Sequence, residues 1–313
     1  MESIQSIKKR VKAVNNIAQI TRAMEMVSAN KMRRSQETAL NSRAYAIAAL
    51  ELLHELSRWS PYVPPLMQRR EIKKIMIVLV VADKGLAGSL NSNVFRYTEK
   101  HLKEIKDNNP GATLFFAGVG KKSEEYLTRK NLTPVIAFTG FGDYAETAET
   151  KPLADFLIDG FEANDWDKVF IISTHFRTTL RQDVLSRELL PISKYALEKT
   201  IKEITPEYGK YAKSDTDIAE NFKKRNYEYL VEPAPALVLQ TLTRYLVEME
   251  IYHLVLEANA SEHSARMVAM KNASDNAIEL KDELSLRYNK SRQASITREI
   301  AEISAGAESL SKS

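Results

Sequence analysis

Residues 1–60 and 236–305 contain neither glycine nor proline, although the chain has ten of each. In a helix interior, glycine is about 1 kcal/mol and proline about 3 kcal/mol less favourable than alanine. Two segments of this length without either residue therefore predict two unusually long helices, one near each end of the sequence.

The C-terminal segment carries apolar residues at alternating spacings of three and four. The main run extends from Leu239 to Tyr288, with His253 and His263 among its positions, and a second run comprises Ile296, Ile300, Ile303, Ala307 and Leu310. This spacing gives a helix one apolar face and is typical of a coiled-coil seam. The core of a helical bundle and an extended two-helix rod both fit the pattern.

The N-terminal segment has a similar seam that is interrupted. It begins with Ile4, Ile7, Val11 and Val14, and it is predicted to resume with Tyr45, Ala48, Leu52 and Leu56. Between Ser28 and Arg43 there is no steady apolar stripe, because small and charged residues occupy the helix. We therefore expect a broken seam there.

The middle of the chain changes period. Short runs rich in Val, Ile and Phe begin at Lys73, Ala112, Thr133 and Lys168, and they predict buried strands. Three segments between them, 93–106, 121–130 and 148–163, have helical patterns. Alternating strands and helices predict a mostly parallel sheet with helices on its faces, and a hairpin is expected after Arg177.

These patterns divide the chain into four parts. They are an N-terminal helix at 1–60, an α/β domain at 70–195, a charged insertion or linker at 196–232, and a C-terminal helix at 233–313. The charged stretch itself runs from about Lys194 to Asn226 and has no clear period.

Composition excludes several classes of function. The chain has no cysteine, which rules out disulfides, thiolate metal sites and a cysteine nucleophile. No apolar run approaches the roughly 20 residues of a membrane-spanning helix, and no secretory signal is apparent. The net charge of +4 is too small to indicate nucleic-acid binding on charge alone. Any membrane association is therefore expected to come through partners.

The glycine-rich and histidine-rich segments do not match known chemical motifs. Gly118, Gly120 and Lys121 follow a predicted strand, but they lack the spacing of a phosphate-binding loop or a dinucleotide fingerprint. His253, Glu257 and His263 lie close together on one helix, yet both histidines occupy seam positions, which favours buried or partner-facing side chains over a zinc site. No catalytic site, cofactor site or metal site is predicted.

Four motifs, in order along the chain, resemble the gamma subunits of F-type ATP synthases. They are "ITRAMEMVSANKMRRSQ" from Ile20, "ADKGLAGSLNSNV" from Ala82, "ASEHSARMVAMKNASDNA" from Ala260 and "YNKSRQASITREIAEISAGAESL" from Tyr288. The resemblance extends over nearly the whole chain, and the last motif is highly specific.

The resemblance implies a fold and a function. The terminal helices would form a long antiparallel, left-handed coiled coil, and the middle of the chain a Rossmann-like α/β domain with a mostly parallel sheet. Such a chain is the non-catalytic rotor of the complex. It penetrates a hexamer of alpha and beta subunits, its α/β domain contacts the epsilon subunit and the c-ring, and its rotation couples ion flow to ATP synthesis or hydrolysis in the hexamer.

The resemblance also implies which residues contact partners. Met24, Arg33 and Arg34 would approach an acidic lever segment of the beta subunit, together with Arg22 and Lys31. Arg292, Gln293, Thr297 and Glu302 would bond to a catch loop of the beta subunit. The apolar tip in the bearing of the hexamer would consist of Ile296, Ile300, Ile303 and Leu310. The chain would be peripheral to a bacterial cell membrane, on its cytoplasmic face.

Two other hypotheses compete with the rotor. A free-standing enzyme would use the α/β domain, and the failed glycine motifs argue against it. A coiled-coil scaffold that grips one static partner would need a continuous strong seam, and the expected break between Ser28 and Arg43 argues against that. Small side chains and flexible methionines instead give shallow contacts that can be remade on successive subunit faces.

Overall fold

The computed structural model describes residues 3–142, 146–193 and 231–311, without the side chains of 42–44, 54, 58–59 and 306–311. The predicted charged stretch from Lys194 to Asn226 lies outside these residues. The elements, in chain order, are α1 (Ile4–Trp59), a 3-10 turn (Pro65–Met67), β1 (Lys74–Val80), α2 (Leu90–Asn108), β2 (Thr113–Val119), α3 (Lys121–Arg129), β3 (Ile136–Phe138), α4 (Thr147–Glu162), β4 (Lys168–Thr178), β5 (Arg181–Leu190) and α5 (Pro235–Ser311).

The chain forms two compact units. The first combines Met1–Val27 with Met267–Ser313, and the second is Ser28–Arg266. The second unit contains the whole sheet, the helices α2 to α4, and parts of both long helices. None of the helices within 3–142, 146–193 and 231–311 combines the length and the apolar character of a membrane-spanning segment.

The five strands form one sheet in the order β3-β2-β1-β4-β5. β1 pairs in parallel with β2 and β4, β2 pairs in parallel with β3, and β4 pairs antiparallel with β5. The parallel pairs are joined by helical crossovers, whereas Thr179 and Leu180 alone join β4 to β5, which is too short for a crossover. The predicted mostly parallel sheet and its hairpin are therefore confirmed.

β1 is covered on both faces, which explains its continuous apolar sequence. Met76, Val78 and Val80 pack in one core cluster with α1, α4 and α5. Ile75, Ile77 and Leu79 alternate with them and pack in a second cluster with α2 and α3. A strand buried on both sides needs apolar residues at every position, as parallel strands usually do.

The seam predicted for the C-terminal helix is confirmed. From Leu239 to Tyr288 no seam position is exposed, and the buried ones include Leu256, Ala260 and Leu284. His253 and His263 are only 5% and 3% exposed. They are buried seam residues, as the spacing indicated.

The seam predicted for the N-terminal helix is wrong in its second half. Tyr45 is 61% exposed. The buried residues are Ala46, Ala49, Leu53 and Leu56. The first three of them each lie one residue after a predicted seam position, and the fourth matches its prediction. The predicted break in the apolar seam is confirmed, because among the described side chains the buried positions between Ala18 and Ala46 are the polar residues Thr21, Ser28 and Ser35. Small residues form the buried face there, and a search for large apolar side chains does not detect them.

Each unit contains contacts between the two long helices. In the first, the Ser274 hydroxyl donates to the Ala18 carbonyl at 3.4 Å, which brings α5 close to the α1 backbone. In the second, Ala39 packs against a cluster of α5 that includes Leu256, and the rings of Tyr45 and Tyr245 lie 5.5 Å apart. Because the later α1 residue meets the earlier α5 residue, the helices of this unit are antiparallel.

Candidate functional site

The last described turns of α5 carry an exposed apolar stripe. Ile296, Ile300 and Ile303 are 47%, 60% and 72% exposed, and their spacing of four and three residues places them on one face of the helix. Leu284 is the last fully buried seam residue before them. The side chain of Leu310, predicted as part of the same tip, lies outside the described side chains. Apolar stripes of this kind are typical of a surface that a partner covers.

The four polar residues predicted to bind a catch loop do not share one face. Each residue of an α-helix turns by roughly 100° about the axis. Arg292 therefore lies in line with the isoleucine stripe, and Gln293 and Thr297 are neighbours on one side of it. Glu302 lies roughly 120° away on the opposite side of the stripe. All four are exposed. The structure therefore brings Gln293 and Thr297 together and separates Glu302 from them.

Met24 belongs to a second exposed apolar stripe, on α1, that the sequence analysis missed. Met24 itself is half-buried, and Ile17, Ile20 and Val27 beside it are 51%, 59% and 52% exposed. These four residues are spaced by three, four and three. Three of them lie one residue before the buried seam residues Ala18, Thr21 and Ser28. The sequence contains two such series on one helix, offset by one residue, and this pattern could have revealed the exposed stripe.

The predicted basic residues of the lever contact lie on α1, and their surroundings differ. Arg22 is paired with Glu25 at 2.8 Å within the first unit. In the second unit, Arg33 is exposed and donates to Asn30 Oδ1 at 3.3 Å, and Arg34 is also exposed. Exposed guanidinium groups of this kind can form charge-assisted hydrogen bonds with carboxylates of a partner.

The second unit contains a cavity of about 290 Å³ at the carboxyl ends of β1, β2 and β3, beside Thr174 of β4. Asp83, Glu262 and His263 are among its lining residues. In open α/β sheets, this edge is where ligands commonly bind. The cavity is therefore the place in the α/β domain where an active site would be expected.

The carboxylates of this cavity are already engaged. Asp83 accepts hydrogen bonds from the backbone amides of Lys121 and Gly140, at 2.7 and 3.1 Å. Glu262 is bonded to Arg266, whose guanidinium also donates to the Gly85 carbonyl at 3.1 Å. Asp83 thus joins the loop after β1 to the turns after β2 and β3, and both carboxylates have structural partners.

The glycine turn after β2, which the structure describes in full, has no free space or free amide for a phosphate. Gly120 has a φ of +87°, and a Cβ there would lie 1.8 Å from the Val81 carbonyl oxygen, so the position requires glycine. The Lys121 amide, which would face a phosphate in a nucleotide-binding loop, donates to Asp83 instead. The turn is a strand-to-helix connection, as its spacing indicated.

The histidines of α5 have the properties of core residues. Burial lowers the pKa of His253 to about 4, so its imidazole is neutral at physiological pH. Within the described ranges, no group of three or more His, Asp or Glu side chains could hold a metal ion.

Comparisons with known proteins agree with this arrangement. A family model described as ATP synthase matches residues 3–310. An ATP synthase gamma chain of Roseiflexus castenholzii is 37% identical over 315 residues, covering 100% of both chains. One from Dehalococcoides mccartyi is 37% identical over 313 residues, covering 99% of this chain and 100% of its own.

Solved structures show the same fold. A chain in the Tetrahymena thermophila mitochondrial ATP synthase central stalk and c-ring structure has a TM-score of 0.55 at 24% identity, over 82% of this chain and 99% of its own. A chain in the Euglena gracilis mitochondrial OSCP/F1/c-ring structure has a TM-score of 0.62 at 17% identity, over 98% and 94% of the two chains. With full-length relatives well above 30% identity, this chain belongs to the family of ATP synthase gamma chains.

Proposed function

We propose that this chain is the rotating central stalk of an ATP synthase and carries no catalytic site of its own. Its partners are the alpha and beta subunits of the hexamer, the epsilon subunit and the c-ring of the membrane sector. The solved relatives belong to a central stalk with its c-ring, a rotor and an OSCP/F1/c-ring assembly, which supports F1 and the c-ring as partners. Rotation of the stalk couples ion flow to ATP synthesis or hydrolysis in the hexamer.

The exposed isoleucine stripe of α5 is the observation that carries this proposal. Ile296, Ile300 and Ile303 form the apolar tip that turns in the bearing of the hexamer, and Leu310 extends it. Side chains that are 47% to 72% exposed gain free energy only when a partner covers them, about 25 cal/mol per Å² of apolar area. A bearing lined by apolar residues offers that cover at every rotational position.

The polar residues near the tip contact the catch loop of the beta subunit. Gln293 and Thr297 bind from one side of the helix and Arg292 from within the stripe. Glu302, on the opposite side, meets its partner group at a different rotational angle. This separation suits a shaft that presents different faces to the three catalytic sites in turn.

The α1 residues contact the beta-subunit lever. Met24 and its exposed apolar neighbours provide the shallow contact, and Arg33 and Arg34 attract the acidic segment. Exposed ion pairs contribute only about 0 to 1 kcal/mol each. The attraction therefore guides the lever without holding it.

The chain reaches the membrane through its partners, as a peripheral subunit on the cytoplasmic face of a bacterial cell membrane. Rotor function requires only that the α/β domain be held on the c-ring, so the chain needs no membrane-spanning segment.

Reconstitution with the alpha and beta subunits of the same organism tests the proposal. A bead fixed to the α/β domain should turn in steps when ATP is hydrolysed. Assembly without rotation would indicate a static scaffold. Failure to assemble, or tight ATP binding by the chain alone, would contradict the rotor function.

A further inference from the structure

Helix α5 changes the chemistry of its contact with the sheet near Glu257. Before this point its contacts with the sheet are apolar, and Leu246, Ile251 and Leu254 lie in the main core cluster with β1 and β4. Its ion pairs there, from Arg244 and Glu248, are with helix α4. From Glu257 to Arg266 polar contacts are added, although Ala258 still belongs to the same core cluster. We call the four α5 side chains Glu257, Ser261, Ser264 and Arg266, with the groups that they bond, the polar clasp.

The charged part of the polar clasp joins α5 to both strands of the hairpin. Glu257 Oε2 accepts from Arg187 Nη1 of β5 at 3.0 Å, and Glu257 Oε1 is bonded to His175 Nδ1 of β4. The side chains of His175, Arg187 and Glu257 are 3%, 11% and 16% exposed. The three groups are thus shielded from water, where an ion pair with hydrogen bonds on both sides resists disruption strongly.

The rest of the polar clasp bonds to backbone carbonyls around the end of the sheet. The Ser264 hydroxyl donates to the Thr179 carbonyl at 2.7 Å and accepts from Gln182 Nε2 at 3.3 Å. The Ser261 hydroxyl lies 3.5 Å from the Thr174 carbonyl. Both serines are fully buried.

Arg266 extends these bonds to the loop after β1. Its Nη2 donates to the Gly85 carbonyl at 3.1 Å and approaches the Lys84 carbonyl at 3.5 Å. The α5 helix is therefore bonded to β4, to β5 and to the β1 loop within ten residues.

The two kinds of contact resist different displacements. Burial of apolar surface is non-directional and depends mainly on area. A helix that turns slightly about its own axis on an apolar surface therefore loses little until area is exposed. Hydrogen bonds weaken steeply when their angles depart from linearity. The polar clasp therefore opposes rotation of α5 against the sheet, and the apolar core mainly opposes separation.

We propose that the polar clasp is the joint through which torque passes between the α/β domain and helix α5, with Glu257 as its central positioning residue. This inference rests on the rotor function proposed above. Without this joint, helix α5 would rotate relative to the α/β domain under load. ATP hydrolysis would then proceed while the α/β domain rotated more slowly than the helix.

The test uses the complete ATP synthase with two kinds of variant. Glu257→Gln keeps the size of the side chain and removes its charge. The triple variant His175→Leu, Arg187→Met, Glu257→Leu replaces the buried polar groups by apolar ones of similar volume, a change that often preserves stability. Glu283→Gln is the matched control, since Glu283 and Arg287 form an exposed pair at 2.6 Å on the same helix.

Two loads separate the outcomes. With a small gold particle on the α/β domain, both variants should turn within about twofold of the wild-type rate. With a large bead, or when the coupling ions are pumped against an imposed gradient, the rate should fall at least tenfold relative to the wild-type complex. Glu283→Gln should match the wild type at both loads. The melting temperature of each purified complex is measured in parallel.

Several results would overturn the inference. Wild-type behaviour of Glu257→Gln under high load is one of them, whether or not the triple variant folds. Full coupling by a folded triple variant is another, because it would show that the polar clasp contributes stability alone. A wild-type complex that fails to assemble or rotate would instead contradict the rotor function itself, so the two failures are distinguishable.

Discussion

At the scale of single residues, His253 shows how a seam position can make stability depend on pH. Its imidazole lies in α5 with 5% of its surface exposed, and burial lowers its pKa from 6.5 to about 4. The folded chain therefore keeps this histidine neutral in a pH range where the unfolded chain binds a proton.

We expect the free energy of unfolding to fall as the pH decreases from 6.5 to 4. The unfolded state binds a proton on His253 in this window and the folded state does not, which amounts to a loss of up to about 3 kcal/mol from this residue. Above pH 6.5 the contribution is constant. Urea unfolding at pH 7.5 and 5.0 measures the effect. His253→Leu should show a smaller loss than the wild type, and Met249→Leu, another buried seam residue, should keep the wild-type loss.

Gly160 gives a second prediction at this scale. A Cβ at this position in α4 would lie 1.9 Å from the Trp166 ring, and that indole donates to the Leu157 carbonyl at 2.9 Å. Alanine stabilises a helix by about 1 kcal/mol relative to glycine. Overpacking typically costs about 1 to 3 kcal/mol, which outweighs that gain. Thermal unfolding should show that Gly160→Ala is destabilised. Gly85→Ala, with nothing within 4 Å of its new Cβ, should unfold close to wild type, and equal stability of both would contradict the prediction.

The sequence could not have revealed the role of Glu257. Its partners Arg187 and His175 lie 70 and 82 residues earlier in the chain, and no local pattern connects them. A lone glutamate beside an apolar seam usually indicates a solvent-exposed helix face. Only the return of α5 across the β4–β5 hairpin gives it two partners.

At the scale of elements, prediction succeeded where large apolar side chains mark the pattern. The continuous run of β1 and the seam of α5 from Leu239 were both recognisable for this reason. In α1, by contrast, Ser28, Ser35 and Ala46 form the buried face. Hydrophobicity does not distinguish such residues from their exposed neighbours, so the phase predicted at Tyr45 was wrong and the buried serines went undetected.

Ser274 tests whether small seam residues are required for close helix packing. It is 2% exposed, and its hydroxyl reaches the Ala18 carbonyl of α1. Ser274→Leu should lower the free energy of unfolding by about 1 to 3 kcal/mol, because a larger side chain forces the helices apart. Ser274→Ala keeps the close approach and should lose about 1 kcal/mol or less. Chemical denaturation of the two variants gives the comparison, and a stable leucine variant would refute close packing here.

At the scale of the whole molecule, the exposed apolar stripes distinguish this chain from a self-contained domain. Ile300 and Ile303 expose most of their surface, and Ile17 and Ile20 do so on α1. Exposed patches of this kind cause isolated proteins to associate. We therefore expect the purified chain to be prone to self-association without its partners.

Replacing Ile296, Ile300 and Ile303 together by serine should separate folding from assembly. The stability of the isolated chain should change little, since surface substitutions usually stay within about 0.5 kcal/mol. Affinity for the alpha and beta hexamer should fall at least about 100-fold, because each covered isoleucine contributes about 1.5 to 3 kcal/mol and 1.4 kcal/mol is tenfold.

Titration calorimetry with the hexamer measures this loss. Leu180→Ser is the control, since Leu180 is 82% exposed at the tip of the β4–β5 hairpin and lies outside the proposed bearing surface. Unchanged affinity of the triple isoleucine variant would contradict the bearing contact.

The hairpin tip has a practical consequence for labelling. The chain has no cysteine, so Leu180→Cys would introduce a single thiol, at a position where neither packing nor a strand pair restricts access. Maleimide chemistry would then attach one dye or one bead per molecule, at one known place on the α/β domain, and no native cysteine would have to be removed first.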